Sequence, residues 1–429
     1  MIVAIFAASN VYAQNVIYDI GGLVTKTSII REYQQNEYIL YNYGSQQEFV
    51  YANTMTLSGA EMDISPYLSS VSDMCIKGDY CFFCGENGTL VVMGYFHIPS
   101  FIAGTASLYT FPIPTYTNPA NGYTETIHAL KKIDVHFTSA NDFHMFAIGE
   151  ATALDPYGNT IGPYRIIVEG YYNGSYVNYN SHSQYSSVYY FDDLAVVGTN
   201  LIVVGDKHGS SGQYMHQYII TSAPVLTNLS ASIQYNMTAT YYYFPLSEMQ
   251  IIPLSGTAFA TACHAYCDGN RCLVVTSYST TGAIADRIYL PSTTGAIGIK
   301  DFAYNQSLDR LGIIPTSPGN SIIHITIDPT TLLMNADNQM VSAISTLNSC
   351  TKLTNQKEFM ISGAIGNTLY TWRSYFGNDQ CASVVPIQTV HTTHTETPYQ
   401  ANLEFYSDTR FFYSSNPQIN NINITIFCQ

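Results

Sequence analysis

The sequence predicts an all-β protein, a β-propeller of seven blades with a four-stranded antiparallel sheet in each. Three observations carry that expectation. Helical periodicity is scarce: no long segment spaces its apolar residues at three and four positions between caps. Short runs rich in β-branched and aromatic residues recur between clusters of turn residues, which is how strands read. The runs also repeat as a unit, in which an Asp and an apolar residue lead to a turn, an apolar run closing on Gly, a polar loop and another apolar run. A repeat spacing of roughly 50 to 60 residues fits one propeller blade.

The copies follow one another along the chain. Asp73-Met74 leads to Phe82-Phe83-Cys84-Gly85 and Val91-Val92-Met93-Gly94, and Asp134-Val135 leads to Met145-Phe146-Ala147-Ile148-Gly149 and Ile166-Ile167-Val168. Asp193-Leu194 leads to Ile202-Val203-Val204-Gly205, a looser copy spans Met249 to Tyr278, and Asp301-Phe302 leads to Leu311-Gly312-Ile313-Ile314. A sixth holds Phe359-Met360-Ile361-Ser362-Gly363 and Leu369-Tyr370-Thr371-Trp372. The ends look like partial units, Glu37-Tyr38-Ile39-Leu40-Tyr41 with Glu48-Phe49-Val50-Tyr51 at the front and Arg410-Phe411-Phe412-Tyr413 with Ile422-Asn423-Ile424 at the back. A closed ring hides its edges by pairing the first and last strands in one sheet, so residues 14–429 are expected to form one domain closed by its terminal strands. The rival is a pair of tandem β-sandwiches with a Pro-rich boundary between Thr110 and Gly122.

Of the 429 residues, 46% are hydrophobic, enough for a packed core, whereas only 10% are charged, against about 25% in an average soluble domain. With 15 basic and 30 acidic residues the net charge is −15, which opposes binding to phosphate backbones or anionic lipid. Nucleic acid is therefore excluded as a partner. No stretch approaches the ~20 uninterrupted apolar residues of a membrane helix. Residues 1–13 read as an export signal, with an apolar stretch from Ile2 to Ala8 and cleavage expected between Ala13 and Gln14. The expected location is secreted or at the cell surface.

Nine cysteines suit an oxidising compartment. Cys267 and Cys272 flank a tight Gly-Asn turn and are expected to pair. Cys350 and Cys381 bracket one repeat and form the second expected bridge. Cys75 is expected to bond Cys81 or Cys84, and the odd total leaves at least one thiol unpaired, with Cys263 and Cys428 leading. Six sequons, at Asn87, Asn173, Asn228, Asn236, Asn305 and Asn423, are glycan acceptors only in a eukaryotic secretory pathway, and an Asn-rich chain also produces them by chance.

Candidate chemistry is thin. Cys263-His264 with Cys267 and Cys272, and His391 with His394, carry metal-ligating types, but neighbours on a strand face opposite ways. Asp155-Pro156-Tyr157-Gly158-Asn159 and Asn335-Ala336-Asp337-Asn338 read as turns rather than calcium loops. No nucleophile elbow, Ser/His/Asp order or paired-acid signature stands out. Asp73, Asp134, Asp193 and Asp301 recur at equivalent places in the repeat, which points to one structural hydrogen bond per blade rather than one catalytic centre. The 37 tyrosines offer rigid area with a water-tolerant hydroxyl, suited to recognising a glycan or protein.

The unit Asp73-Met74-Cys75, Phe83-Cys84-Gly85 and Gly94-Tyr95-Phe96, with a leader ending at Ala13-Gln14, resembles exported β-propeller-like repeat proteins of the Bacteroidota. The resemblance covers about one repeat and the leader; it implies an exported propeller-like protein and no particular activity. The leading expectation is thus an exported binding or display module recognising a glycan or protein, without catalysis or cofactor. The alternative is a carbohydrate-active or peptidase-like hydrolase with its site in the central funnel. An aromatic funnel favours the first, and clustered carboxylates or a Ser/His pair the second.

Overall fold

The structure is a computed structural model. It describes residues 16–428 apart from 24–27, 35, 44–45, 54–55, 89, 114, 118–121, 141, 175–176, 185–188, 208–212, 221–231, 238–243, 246–248, 268–269, 292–297, 317–318, 353–357, 367, 376–381, 387–389, 392–396, 400–403, 411–412, 416 and 424. The expected leader and its cleavage point at Ala13 and Gln14 lie outside the described residues, as does Cys381.

The described strands form seven antiparallel sheets. Each sheet is a meander that starts at the centre and runs outward. Their innermost strands are, in order, Ser28–Tyr33, Ser70–Lys77, Thr124–Phe137, Tyr189–Val197, Gln250–Pro253, Ile299–Asn305 and Thr346–Lys352. Every innermost strand touches that of the next sheet, and the seventh touches the first, so the sheets close into a β-propeller. The segment expected to divide two sandwiches joins neighbouring sheets instead: Leu108–Ile113 belongs to the second and Tyr116–Thr117 to the third. The seventh sheet takes its fourth strand, Val16–Leu23, from the front of the chain.

The sheets are not four-stranded, as expected, but have five or six strands. The addition comes from the end of the chain, which runs back around the rim against the order of the sheets. Ala382–Pro386 pairs with the sixth, Val390–His391 with the fifth and Thr397–Tyr399 with the fourth. Glu404–Arg410 then pairs with the third, Tyr413–Ser415 with the second and Ile419–Asn423 with the first. Thr425–Cys428 finishes against Val16–Leu23 in the seventh. This belt adds a strand to the outer edge of every sheet, where unpaired N–H and C=O groups would otherwise face outward.

The core lies between sheets rather than within one. Because each sheet is covered on both faces, its strands read as continuous apolar runs instead of alternating. In Cys81-Phe82-Phe83-Cys84, Phe82 and Cys84 pack toward the third sheet, while Cys81 and Phe83 pack toward the first. The single Trp372 is fully buried between the sixth and seventh sheets. Tyrosine is as much a core residue as a surface one: Tyr38, Tyr95 and Tyr278 are buried, and Tyr95 stacks on Tyr109 with ring centroids 4.9 Å apart.

The Gly that closes each apolar run has a steric cause. Just before Asp73 in the second sheet and Lys132 in the third, the innermost strand carries a β-bulge that pushes its backbone toward the second strand. A Cβ on Gly85 would lie 2.1 Å from the Ser70 carbonyl oxygen, and one on Gly149 2.1 Å from that of Ala129. Only a residue without a side chain fits there.

The expected disulfides meet the strand register. In the hairpin Ala258–Cys267/Asn270–Ser279, Cys267 faces Asn270 and Cys272 faces Ala265, so the two cysteines are offset rather than opposite. Cys75 faces Phe82, with Cys81 opposite Ile76 and Cys84 opposite Asp73. Cys75, Cys81, Cys84 and Cys350 are free thiols, and the Cys350 Sγ lies 3.7 Å from the Gly312 carbonyl oxygen. At the Asn305 sequon the asparagine is buried, and its side-chain oxygen accepts the Ser307 N–H at 2.9 Å, closing a turn.

One buried group makes the fold acid-sensitive. His324 is edge-on to Phe359, with ring centroids 5.4 Å apart, and burial together with the nearby Arg310 guanidinium pushes its pKa down to about 3. Unfolded, it titrates near 6.5. Between these values the unfolded chain takes up a proton that the folded chain refuses, so this contribution to stability is lost as pH falls from 6.5 toward 3, by up to ~1.4 kcal/mol per pH unit. His324→Leu is expected to lose less stability than the parent over that range in urea titrations. Parallel losses in the two proteins reject this assignment.

Candidate functional site

The seven innermost strands enclose an axial cavity of about 450 Å³, to which every sheet contributes. A second cavity of about 330 Å³ lies along the same axis. Both are lined by Arg31, Asp73, Lys132 and Asp301, which therefore form a charged waist between them.

The aspartates latch sheet to sheet. Asp73 Oδ2 accepts the Ile133 N–H of the third sheet at 3.1 Å, and Asp134 Oδ2 accepts the Val196 N–H of the fourth at 2.7 Å. Asp193 Oδ2 accepts the Ile251 N–H of the fifth at 3.0 Å, and Asp301 Oδ2 accepts the Cys350 N–H of the seventh at 3.0 Å. Asp134, Asp193 and Asp301 also accept the N–H of the following residue. Each carboxylate thus satisfies a backbone donor on the innermost strand of the neighbouring sheet, an edge with no further strand to pair it.

The register changes which residues are equivalent. Counting from the bulge, the first residue on the far side is Asp73 in the second sheet, Asp193 in the fourth and Asp301 in the sixth. In the third sheet it is Lys132, and Asp134 stands two residues further on. The expected equivalence of Asp134 with the other three is corrected accordingly: Asp134 latches from its displaced place, and Lys132 occupies the aspartate position.

Lys132 makes no ion pair within 4.0 Å of its Nζ among the described residues. Burial works against its charge, yet the fields of Asp193, Asp73 and Asp301 outweigh that and hold its pKa above the ordinary value. Arg31 is held in place by the Met74 carbonyl oxygen at 2.9 Å, the Ile30 carbonyl oxygen at 2.8 Å and Asp73 at 3.3 Å. Asp193 is raised to about 6, by burial first and by the Asp73 charge, with Lys132 and the Ile251 N–H pulling it back. Asp73 is raised for the same first reason. Cys75 and Cys350 line the larger cavity, but burial lifts both thiols well above their usual range, so neither supplies a thiolate.

Asp193, a carboxyl group poised near neutrality on the wall of the larger cavity, shares that wall with the two cations of the waist, Lys132 and Arg31. That is a constellation for moving a proton and stabilising developing negative charge. Sequence reasoning missed both Lys132 and Arg31. The available signal was Lys131-Lys132 standing just before a repeat aspartate in a chain with only 15 basic residues.

The other expected sites do not converge. Cys263 packs between the fourth and fifth sheets, while His264 follows it on the opposite face of a strand. Among the described residues no group of three His, Cys, Asp or Glu could hold a metal ion, and His394 lies outside them. No helix of the described residues is long and apolar enough to cross a membrane. The axis holds clustered carboxylates and cations rather than an aromatic funnel, so the expectation of a binding and display module without catalysis is corrected.

No protein-family model matches the chain, and no curated protein matches it. Solved structures of similar shape include the periplasmic gluconolactonase of Pseudomonas aeruginosa, with 12% identity, 91% of this chain and 99% of that chain covered, and a TM-score of 0.47. A putative 6-phosphogluconolactonase from Bacteroides fragilis shows 10% identity, 90% and 99% coverage, and a TM-score of 0.45. The β-propeller domain of Cps50 (Swd1) from Myceliophteria thermophila shows 8% identity, 83% and 99% coverage, and a TM-score of 0.46. Two of these three carry enzyme names, and all three are too distant to assign a residue of this chain a role.

Proposed function

We propose that this protein is a carbohydrate-active hydrolase that cleaves an acyl–oxygen bond, that of an ester or lactone of a small polyhydroxylated compound, in its axial channel. The single observation that carries the reading is Lys132, a cation placed where the second, fourth and sixth sheets set a latching aspartate, on the same cavity wall as a carboxyl group with a pKa near 6. Asp193 activates water as general base; each of its oxygens has a second lone pair beyond the one given to a backbone N–H. Lys132, with Arg31 behind it, stabilises the oxyanion that forms as water adds to the carbonyl; as that oxyanion re-forms the C=O, the bond to the alkoxide oxygen breaks and Asp193 returns its proton to the leaving oxygen. The same cations count against glycosidic cleavage, because that transition state resembles an oxocarbenium ion and positive charge beside it is repulsive. A peptidase reading lacks its machinery: Ser349 in the waist hydrogen-bonds Asp301 and the Arg31 guanidinium, with no histidine among these partners.

A panel of sugar lactones, aryl esters and aryl glycosides tests this. Turnover is expected on the lactones or esters, with kcat/KM rising through an apparent pKa near 6 as Asp193 ionises. Cleavage of glycosides alone, or activity that falls as pH rises through 6, overturns the reading.

A further inference from the structure

We infer that the smaller axial cavity is an oxyanion-binding subsite, which takes the carboxylate or phosphate group of a small molecule. Three cations line it, Arg31, Lys132 and Lys300, against two acids, Asp73 and Asp301. That local excess is positive in a chain of net charge −15. Both acids already accept hydrogen bonds through both of their oxygens. Asp73 meets Arg31 through Oδ1 and the Ile133 N–H through Oδ2. Asp301 receives the Phe302 N–H on Oδ1, and the Cys350 N–H and Ser349 hydroxyl on Oδ2.

The donors, in contrast, have capacity to spare. An ammonium carries three N–H groups, and the Lys300 Nζ gives one to the Leu347 carbonyl oxygen at 2.8 Å. Burial pulls the Lys300 pKa down, and an anion in the cavity would push it back up. The amide of Asn348 and the hydroxyls of Ser72 and Thr346 complete a lining rich in donors. Lysines and hydroxyls of this kind suit an oxyanion with several acceptor atoms. The inference deepens the hydrolase reading, on which one part of it rests: the substrate carries an anionic group that sits across the waist from the bond being cleaved.

Binding is tested on the whole protein by calorimetry with inorganic phosphate and, separately, with acetate, so that turnover plays no part. Saturable, salt-sensitive binding of at least one anion is expected, and the stronger of the two identifies the group. Lys300→Met, which touches only the smaller cavity, is expected to weaken it about tenfold or more, as befits the loss of one charge-assisted hydrogen bond. Lys131→Met removes an equal charge paired with Glu150 at 2.8 Å and is expected to leave binding unchanged. Parent protein that binds neither anion, or folded Lys300→Met that binds as the parent does, overturns the subsite. Anion binding without turnover on any lactone or ester leaves the subsite standing and removes the hydrolase.

Discussion

A chain ending at Gln380, which lacks every strand of the belt, is expected not to persist as a folded monomer. The seven sheets would each lose their outermost strand, and Val16–Leu23 would become an open edge in the seventh. Belt strands are two to seven residues long, and a net ladder hydrogen bond contributes about 0.5–1.5 kcal/mol. Seven such strands together amount to a large part of the roughly 5–15 kcal/mol that separates a folded domain from its unfolded chain. The exposed edges behind them are longer, for example Leu108–Ile113 and Val177–Gln184, and long open edges pair with other chains. Size-exclusion chromatography and thermal melts check the outcome, in which truncation yields oligomer or aggregate and a lost or sharply lowered transition. A monomer that melts within about 1 °C of the parent, a shift that corresponds to about 1 kcal/mol in a chain of 429 residues, makes the belt a passenger.

Lys132→Met is expected to reduce kcat/KM about 10²–10³-fold on whichever lactone or ester the parent turns over, the usual loss when one donor to a developing oxyanion is removed. Stability should change little, because Lys132 latches no sheet to its neighbour, whereas Asp193→Ala would strand two backbone donors, those of Leu194 and Ile251. The pH profile separates a catalytic role from a structural one. Lys132 pulls the Asp193 pKa down against the effect of burial, so its removal should move the acid limb above 6, and Lys132→Arg should return it part of the way. Full activity in Lys132→Met, or an acid limb that stays in place, sinks the assignment of Lys132 to the site.

The all-β class and the repeat were legible in the sequence because both follow from local rules. Asp73, Asp193 and Asp301 recur since each takes a backbone donor from the innermost strand of a neighbouring sheet, and Gly85 and Gly149 recur since the bulge leaves no room for a side chain opposite it. Apolar runs such as Cys81-Phe82-Phe83-Cys84 show that the strands are covered on both faces. Lys132 was not legible, because its equivalence with Asp73 is set by where the bulge falls, and a shift of two residues cannot be seen without the pairing. The expected bridge from Cys75 to Cys81 or Cys84 was misread for a related reason: thiol spacing says nothing of which residue a strand sets opposite, and the register gives Cys75 to Phe82. The belt was read as part of a blade, since short polar strands carry no mark of their partners and each of these pairs with residues up to about four hundred positions away. Sequence by itself determined the strands, their repeat and the acidic, cation-poor surface, all properties of neighbouring residues. Tertiary structure alone decided what meets at the axis and at the rim, because ring closure brings together side chains from seven sheets whose sequence separation leaves no local trace.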